Sequence, residues 1–461
     1  MDWFVARDYQ VARLIIERGL GLIYLDAFLV ALNQFPALLG ERGLLPAPRF
    51  LERVSVRAAP SLFHLHYSDR ALRGVAWTGI VLAAAIVLGL PQAGPLWLPM
   101  VVWFALWVLY LSIVNIGQLF YAFGWESLLL EAGFFAIFLG NARIAPPFLV
   151  LLLFRWLALR VELGAGLIKL RGDPCWRELT CMDYHHETQP MPNPLSWFAH
   201  RMPRRFHRVE VAGNFVAQLV APFLLFFPQP IAGVGALVMV LTQAYLVATG
   251  NYAWLNVLTM LTVVSAIPDA FFRVIVPSAG RASAFVAPPP WFVVLVLALT
   301  ALVAVLSYWP VRNLISRRQL MNYAFNRLHL VGTYGAFGSV TRVRHEVVIE
   351  GTTDAHPSPE SVWRAYELKG KPGDPRRRPP QIAPYHLRLD WLMWFAALSP
   401  RYAEPWLVTF VEKLLRGDPA TLRLLRSNPF AEAPPVWIRA RLYRYRFTAR
   451  AERRGSGSWW E

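Results

Sequence analysis

Lysine is nearly missing from this 461-residue chain, which has it only at Lys169, Lys369, Lys371 and Lys413 and draws its other positive charge from arginine. Cysteine is scarcer still: Cys175 and Cys181 are the only two, too few for a disulfide-rich scaffold. Their spacing is not Cys-x-x-Cys, which argues against a thioredoxin-like redox motif. There is no Asn-x-Ser/Thr acceptor and no retention tetrapeptide at the Ser-Trp-Trp-Glu461 end, so the expected location is a bacterial inner membrane, or the endoplasmic reticulum membrane in a eukaryote. The first residues carry no basic stretch ahead of a short apolar core, so a cleaved signal peptide is not expected. No fixed-period repeat points to a solenoid or propeller.

Hydrophobic residues are abundant. They make up 56% of the chain, the mean hydropathy is +0.37, and they fall in long runs rather than core-sized segments, which marks an integral membrane protein. The net charge of +17 then reads as cations beside membrane helices and anionic lipid; with no nucleic-acid motif, nucleic acid is not an expected partner. Membrane lipids are.

A span needs about twenty mainly apolar residues. Candidates run over 14–35, 75–90, 96–114, 125–139, 148–168, 211–227, 231–249, 252–267 and 291–309, giving a transmembrane domain of about eight or nine helices over residues 1–315 with a polar loop at 169–208. With nine spans, that loop shares a side with Arg42 to Arg73 and with Arg312, Arg317 and Arg318, against Arg143, Arg273 and Arg281 opposite. The positive-inside rule makes that shared side cytoplasmic and so reducing. Residues 320–448 change character: alternation over 339–350 predicts a strand, 363–369 its hairpin or sandwich partner, and 389–398 and 405–415 helices. The fold class expected is an α-helical multispan bundle with a C-terminal β-containing soluble domain, α+β or sandwich-like, and a disordered tail at 449–461.

Charges inside apolar spans are costly and face a protein or water-filled interior. Glu126, Glu131, Arg155, Arg160 and Glu162 therefore suggest ion pairs around a polar cavity, or pairs that only fix helix orientation. Lys169 closes a glycine-rich helix end. As an interfacial anchor it is unremarkable, but a partly desolvated ammonium gives up its proton more readily than an arginine, so Lys169 is the candidate general base if the protein is an enzyme. The loop that follows adds Arg171, Asp173, Asp183, His185, His186 and Glu187 as cavity-mouth candidates. Cys175 and Cys181 admit a local disulfide, a metal site with His185 or His186, or reduced thiols. Adjacent histidines make a poor single-face ligand pair, so no metal is assigned. Asn251, in Thr249-Gly-Asn-Tyr252, falls near a cavity if that segment breaks a helix. Asn214, Gln218, Gln243 and Asn256 read as amides that glue spans together.

Five segments stand out in order along the chain: Glu126-Ser-Leu-Leu-Leu-Glu-Ala-Gly-Phe134, the run 169–197, Thr249-Gly-Asn-Tyr252, Tyr334-Gly-Ala-Phe-Gly338 with Thr341-Arg342, and Lys371-Pro-Gly-Asp-Pro through Leu389-Asp-Trp391. On them the chain resembles the lipase maturation factor family over nearly its whole length. That resemblance implies a multispan membrane protein that assists folding and assembly of client proteins such as lipases, with a C-terminal domain that meets the client. Arg376, Arg377, Arg378, Asp390 and Trp391 are the contact candidates, no cofactor is implied, and oligomeric state is left open. A shorter likeness, over 164–170, links the chain to the vitamin K-dependent carboxylase-like membrane family, where a lysine at such a helix end is the base. It implies an alternative reading, a membrane enzyme with a Lys169-centred cavity acting on a lipid or quinone-like substrate.

Overall fold

Length and embedded charge sort the apolar runs into membrane-crossing helices and buried ones. The computed structural model describes residues 3–277 and 285–461; Arg281 lies outside them. α1 (Gln10–Leu39), α2 (Asp69–Leu88), α3 (Trp97–Ile116), α4 (Gly124–Ala136) and α5 (Phe148–Arg171) are followed by α6 (Met182–Thr188) and α7 (Arg204–Phe215). α8 (Ile231–Thr249), α9 (Leu255–Val264) and α10 (Pro290–Leu306) complete the bundle. Among the described residues four helical segments are long and apolar enough to cross a membrane: α2, α3, α8 and Pro290–Ile315. α4 has 13 residues. At 1.5 Å each it rises about 20 Å, short of a hydrocarbon core of about 30 Å, and it is buried inside the protein instead. α9, with 10 residues, is short for the same reason, and the 211–227 run is interrupted by a π-helical turn at Val216–Val220. α1 and α5 are long but charged.

Local chemistry sets the ends of these helices. Ser68 caps α2 by accepting from the Ala71 N–H, and Gly89, at φ +83°, ends it in the left-handed conformation that glycine adopts without strain. α1 lies along α2. The Phe28 ring sits where a Cβ on Gly79 would be, so the absence of a side chain there sets the interhelical distance.

The C-terminal region holds a three-stranded antiparallel sheet ordered β2-β1-β3, with β1 (Arg344–Thr352), β2 (Arg364–Ala365) and β3 (Trp437–Tyr445). α11 (Arg388–Leu398), α12 (Leu407–Leu415) and α13 (Arg450–Ser456) accompany it. The expected hairpin partner at 363–369 pairs only through β2; the full-length partner is β3, in register from Arg344↔Tyr445 to Thr352↔Trp437. The tail expected to be disordered is ordered. α13 is followed by Trp459 and Trp460, both buried, with Trp460 stacked on Phe447 at 4.0 Å between centroids. Two large apolar side chains within the last three residues supply the burial that a disordered tail lacks.

The sheet sits on the 169–208 loop. Arg344 donates to the carbonyls of Glu187 (2.8 Å) and Pro190 (3.1 Å), Trp197 Nε1 to Thr448 O (2.9 Å), and the Phe447 N–H to Glu187 Oε2 (2.7 Å). Loop and C-terminal domain therefore lie on the same side of the bundle.

Candidate functional site

Buried charges along α4 and α5 each have partners, and the kind of partner separates structural groups from cavity groups. Glu131 takes a two-pronged contact from Arg160 and further hydrogen bonds from Tyr334 Oη (2.8 Å) and the Gly332 N–H (3.2 Å). Glu126 pairs with Arg388 of α11 at 2.8 Å, a partner that spacing within the spans could not reveal. Among the described residues Arg155 has no carboxylate partner, and it donates to the Leu225 and Ser265 carbonyls. These four residues hold helices together and do not line the cavity.

Glu162 and Lys169 do. A cavity of about 1,100 Å³ opens between the bundle and the C-terminal domain, with aromatic walls that include Trp125, Trp176, Trp391 and Trp394. One wall is polar. Lys169 Nζ donates to Asn214 Oδ1 (2.8 Å) and Gln218 Oε1 (3.0 Å), and Gln218 Nε2 donates to Glu162 Oε2 (3.0 Å). Gln243 Nε2 donates to the other Glu162 oxygen (2.6 Å), and Gln243 Oε1 accepts from Asn256 Nδ2 (2.6 Å). Gln218 reaches this chain from the π-helical turn, whose extra residue swings its side chain inward. The amides read as interhelical glue thus form the wall itself. The Lys169 ammonium also sits over the Trp176 ring, 4.8 Å from its centroid. The two amide oxygens and the π-system favour the ammonium, while burial works against it and lowers the Lys169 pKa to about 8.

A second cluster borders the cavity. Glu210 and Tyr245 line it, and the Glu210 carboxylate accepts from His186 Nε2 (3.1 Å), His207 Nδ1 (2.6 Å) and the Tyr245 hydroxyl. Burial alone would raise the Glu210 pKa, but the two imidazoles and the phenol hold it at about 2. The His186, His207 and Glu210 ligand atoms lie within 4.8 Å of one another, a grouping that could hold a metal ion. His185 points elsewhere: its Nε2 is 3.0 Å from Tyr252 Oη, and burial pushes its pKa down to about 3. Glu210, His207 and Tyr245 were missed because no local motif joins residues from two helices; His207 and Glu210 at i, i+3 were the one available signal.

The loop candidates divide. Arg171, Asp173 and His185 line the cavity; Asp183, Glu187 and Asn251 do not. Asp183 lies 3.9 Å from Arg204 at the surface, and Glu187 ties the loop to Phe447 and His200. Asn251 clamps the C-terminal loop, donating to Pro380 O (2.9 Å) and accepting from the Ile382 and Ala383 N–H groups. Cys175 and Cys181 form a disulfide that is buried under Trp176 and Met182. Of the expected client-contact residues, Arg376 and Arg378 are exposed and Arg377 is half-buried. Asp390 and Trp391 are buried away from the outer surface of the C-terminal domain: the Asp390 carboxylate accepts the Gly370 and Lys371 N–H groups, and the Trp391 ring packs on Trp125 at 4.9 Å.

A family model described as the lipase maturation factor transmembrane domain matches residues 11–274, and one described as the lipase maturation factor C-terminal domain matches residues 330–461. Lipase maturation factor 1 of Bos taurus is 43% identical, the match covering 99% of this chain and 88% of that protein. The Homo sapiens lipase maturation factor 1 is 40% identical over 98% and 86% of the two chains, and lipase maturation factor 2 of Gallus gallus 28% identical over 96% and 78%. No solved structure matches.

Proposed function

The chain belongs to the lipase maturation factor family, and from that membership we propose that it assists the folding and assembly of lipase clients from within a membrane. The observation that carries this reading is the collinear match of both parts of the chain, at 43% identity to a protein named for lipase maturation. The client would meet the exposed side of the C-terminal domain, where β3 is the outer strand of the sheet and presents Trp437 and Leu442 beside Arg441 and Arg444. A free strand edge pairs readily with an extended segment of another chain. Exposed Arg376 and Arg378 extend the cationic surface.

The proposed orientation puts the loop and the C-terminal domain on the oxidising side of the membrane, the compartment in which a Cys175–Cys181 disulfide persists. This reverses the orientation expected from charge, whether the membrane is bacterial or that of the endoplasmic reticulum. Co-expression with a lipase client tests the function. Leu442→Asp with Arg441→Glu, or Arg376→Glu with Arg378→Glu, should lower secreted lipase activity at least severalfold while the full chain stays at wild-type abundance. Unchanged client activity with both pairs of substitutions would remove the proposed surface.

A further inference from the structure

The cavity wall is unevenly neutralised. Of its three carboxylates, Asp173 is paired with Arg342 (2.8 Å) and Glu210 is held by His186, His207 and Tyr245, which leaves Glu162, bound by the Gln218 and Gln243 amides, as the one without an ionisable partner. Against it stand four lining cations, Lys169, Arg171, Arg317 and Arg318. Lys169 has amide and aromatic partners, and Arg171 donates to Gln319 Oε1 and Leu314 O, both at 2.8 Å. Among the described residues, no ion pair involves Arg171, Arg317 or Arg318, and the last two are exposed at the cavity rim.

Position relative to the membrane gives that imbalance a meaning. Arg317 and Arg318 follow directly on the candidate span Pro290–Ile315, at the level where lipid head groups lie. On another side the cavity is bounded by Leu241, Thr242, Tyr245 and Leu246 of α8, itself a candidate span, and Leu241 is 61% exposed. The apolar interior is thus continuous with a lipid-facing helix, and its volume slightly exceeds the roughly 300–1,000 Å³ of ordinary small-molecule pockets. We propose that the cavity binds an anionic amphiphile, with its carboxylate or phosphate head between Arg171, Arg317 and Arg318 and its hydrocarbon chain among the Trp176, Phe337 and Trp391 side chains. Guanidinium groups pair with carboxylate and phosphate alike, so the head chemistry is shared by a fatty acid and an anionic phospholipid. Because α11 supplies one wall, occupancy would tie the membrane bundle to the client-bearing domain.

Photo-crosslinking of the purified full-length protein in neutral detergent tests this, with four probes carrying a diazirine in the chain: oleic acid, oleyl alcohol, phosphatidylglycerol and phosphatidylcholine. Saturable labelling of peptides bearing Trp176, Phe337 or Trp391 by an anionic probe, at least tenfold above its neutral counterpart, is expected. Arg317→Glu with Arg318→Glu, both exposed and so without cost to the core, should reduce it at least tenfold. Preference for oleic acid assigns a free fatty acid as the source, and preference for phosphatidylglycerol assigns the bilayer. Equal labelling by charged and neutral probes, labelling confined to the outer faces of α2 and α10, no labelling, or indifference to the two substitutions would overturn the proposal.

Discussion

Glu126 and Arg388 join the bundle to the C-terminal domain through one fully buried ion pair, and cutting it from either side should cost the same large amount. The carboxylate lies 2.8 Å from the guanidinium, and both side chains are at most 1% exposed. At an effective dielectric constant of 20 that separation gives an attraction of about 6 kcal/mol, most of it offset by the desolvation of both groups. Removing one partner leaves the other charged and buried without its counter-ion. Glu126→Gln or Arg388→Met should therefore destabilise by about 3–5 kcal/mol each. Removing both is another matter: Glu126→Leu with Arg388→Met replaces the pair by apolar volume, and its cost should fall well below the sum of the single costs, to within about 2 kcal/mol of wild type. Residual loss comes from Tyr110 and His386, which also face Glu126, and from the Tyr121 ring stacked under Arg388 at 3.3 Å. Thermal unfolding of the full chain in detergent, followed by intrinsic fluorescence, measures the cycle. Additive single costs, or a single cost under about 1 kcal/mol, would refute the claim that this pair is desolvated and coupled.

Cys175→Ser should cost about 2 kcal/mol by the chain-entropy rule for so short a loop, and alkylation of the unreduced native protein, followed by mass spectrometry, should find neither thiol modified. Deleting 449–461 should destabilise the protein rather than leave it unchanged, by about 2–3 kcal/mol for the Trp460 side chain alone, and should expose Phe447 and Trp197 to limited proteolysis. The Arg342 guanidinium and the backbone N–H groups of Cys175 and Val340 hold the Asp173 carboxyl at about 2, below its ordinary value. A depressed carboxyl pKa contributes stability above the unfolded value near 4, and that contribution is lost as pH falls toward 2. Asp173→Asn should lower the melting temperature at pH 7, and the gap from wild type should narrow steadily from about pH 4 down to about pH 2; a gap independent of pH would exclude the ionic origin.

The membrane character was legible because hydropathy is a local property, and the strand at β1 because alternation is. The span count was less so. The 125–139 run is apolar, yet it carries Glu126 and Glu131, and each finds a partner on another helix, Glu131 at Arg160 and Glu126 at Arg388. Such partners turn an unlikely span into a buried internal helix. β3 went unrecognised because its pattern, exposed on both faces and rich in arginine, lacks the apolar alternation that marks a half-buried strand; its place follows from pairing with β1.

The cavity shows how far composition could lead. Glu162, Lys169, Arg171, Asp173 and His185 were flagged as costly or unusual residues, and they meet on its wall. What the sequence withheld was the sorting of charges. Glu131 and Glu162 stand in similarly apolar runs, but Glu131 faces Arg160 and closes a helix contact, whereas Glu162 faces two glutamines and leaves Lys169 without a carboxylate of its own. An ion pair neutralises itself and needs no further partner. A carboxyl and an amino group held apart by amides do not neutralise one another, and something entering the cavity can meet either one.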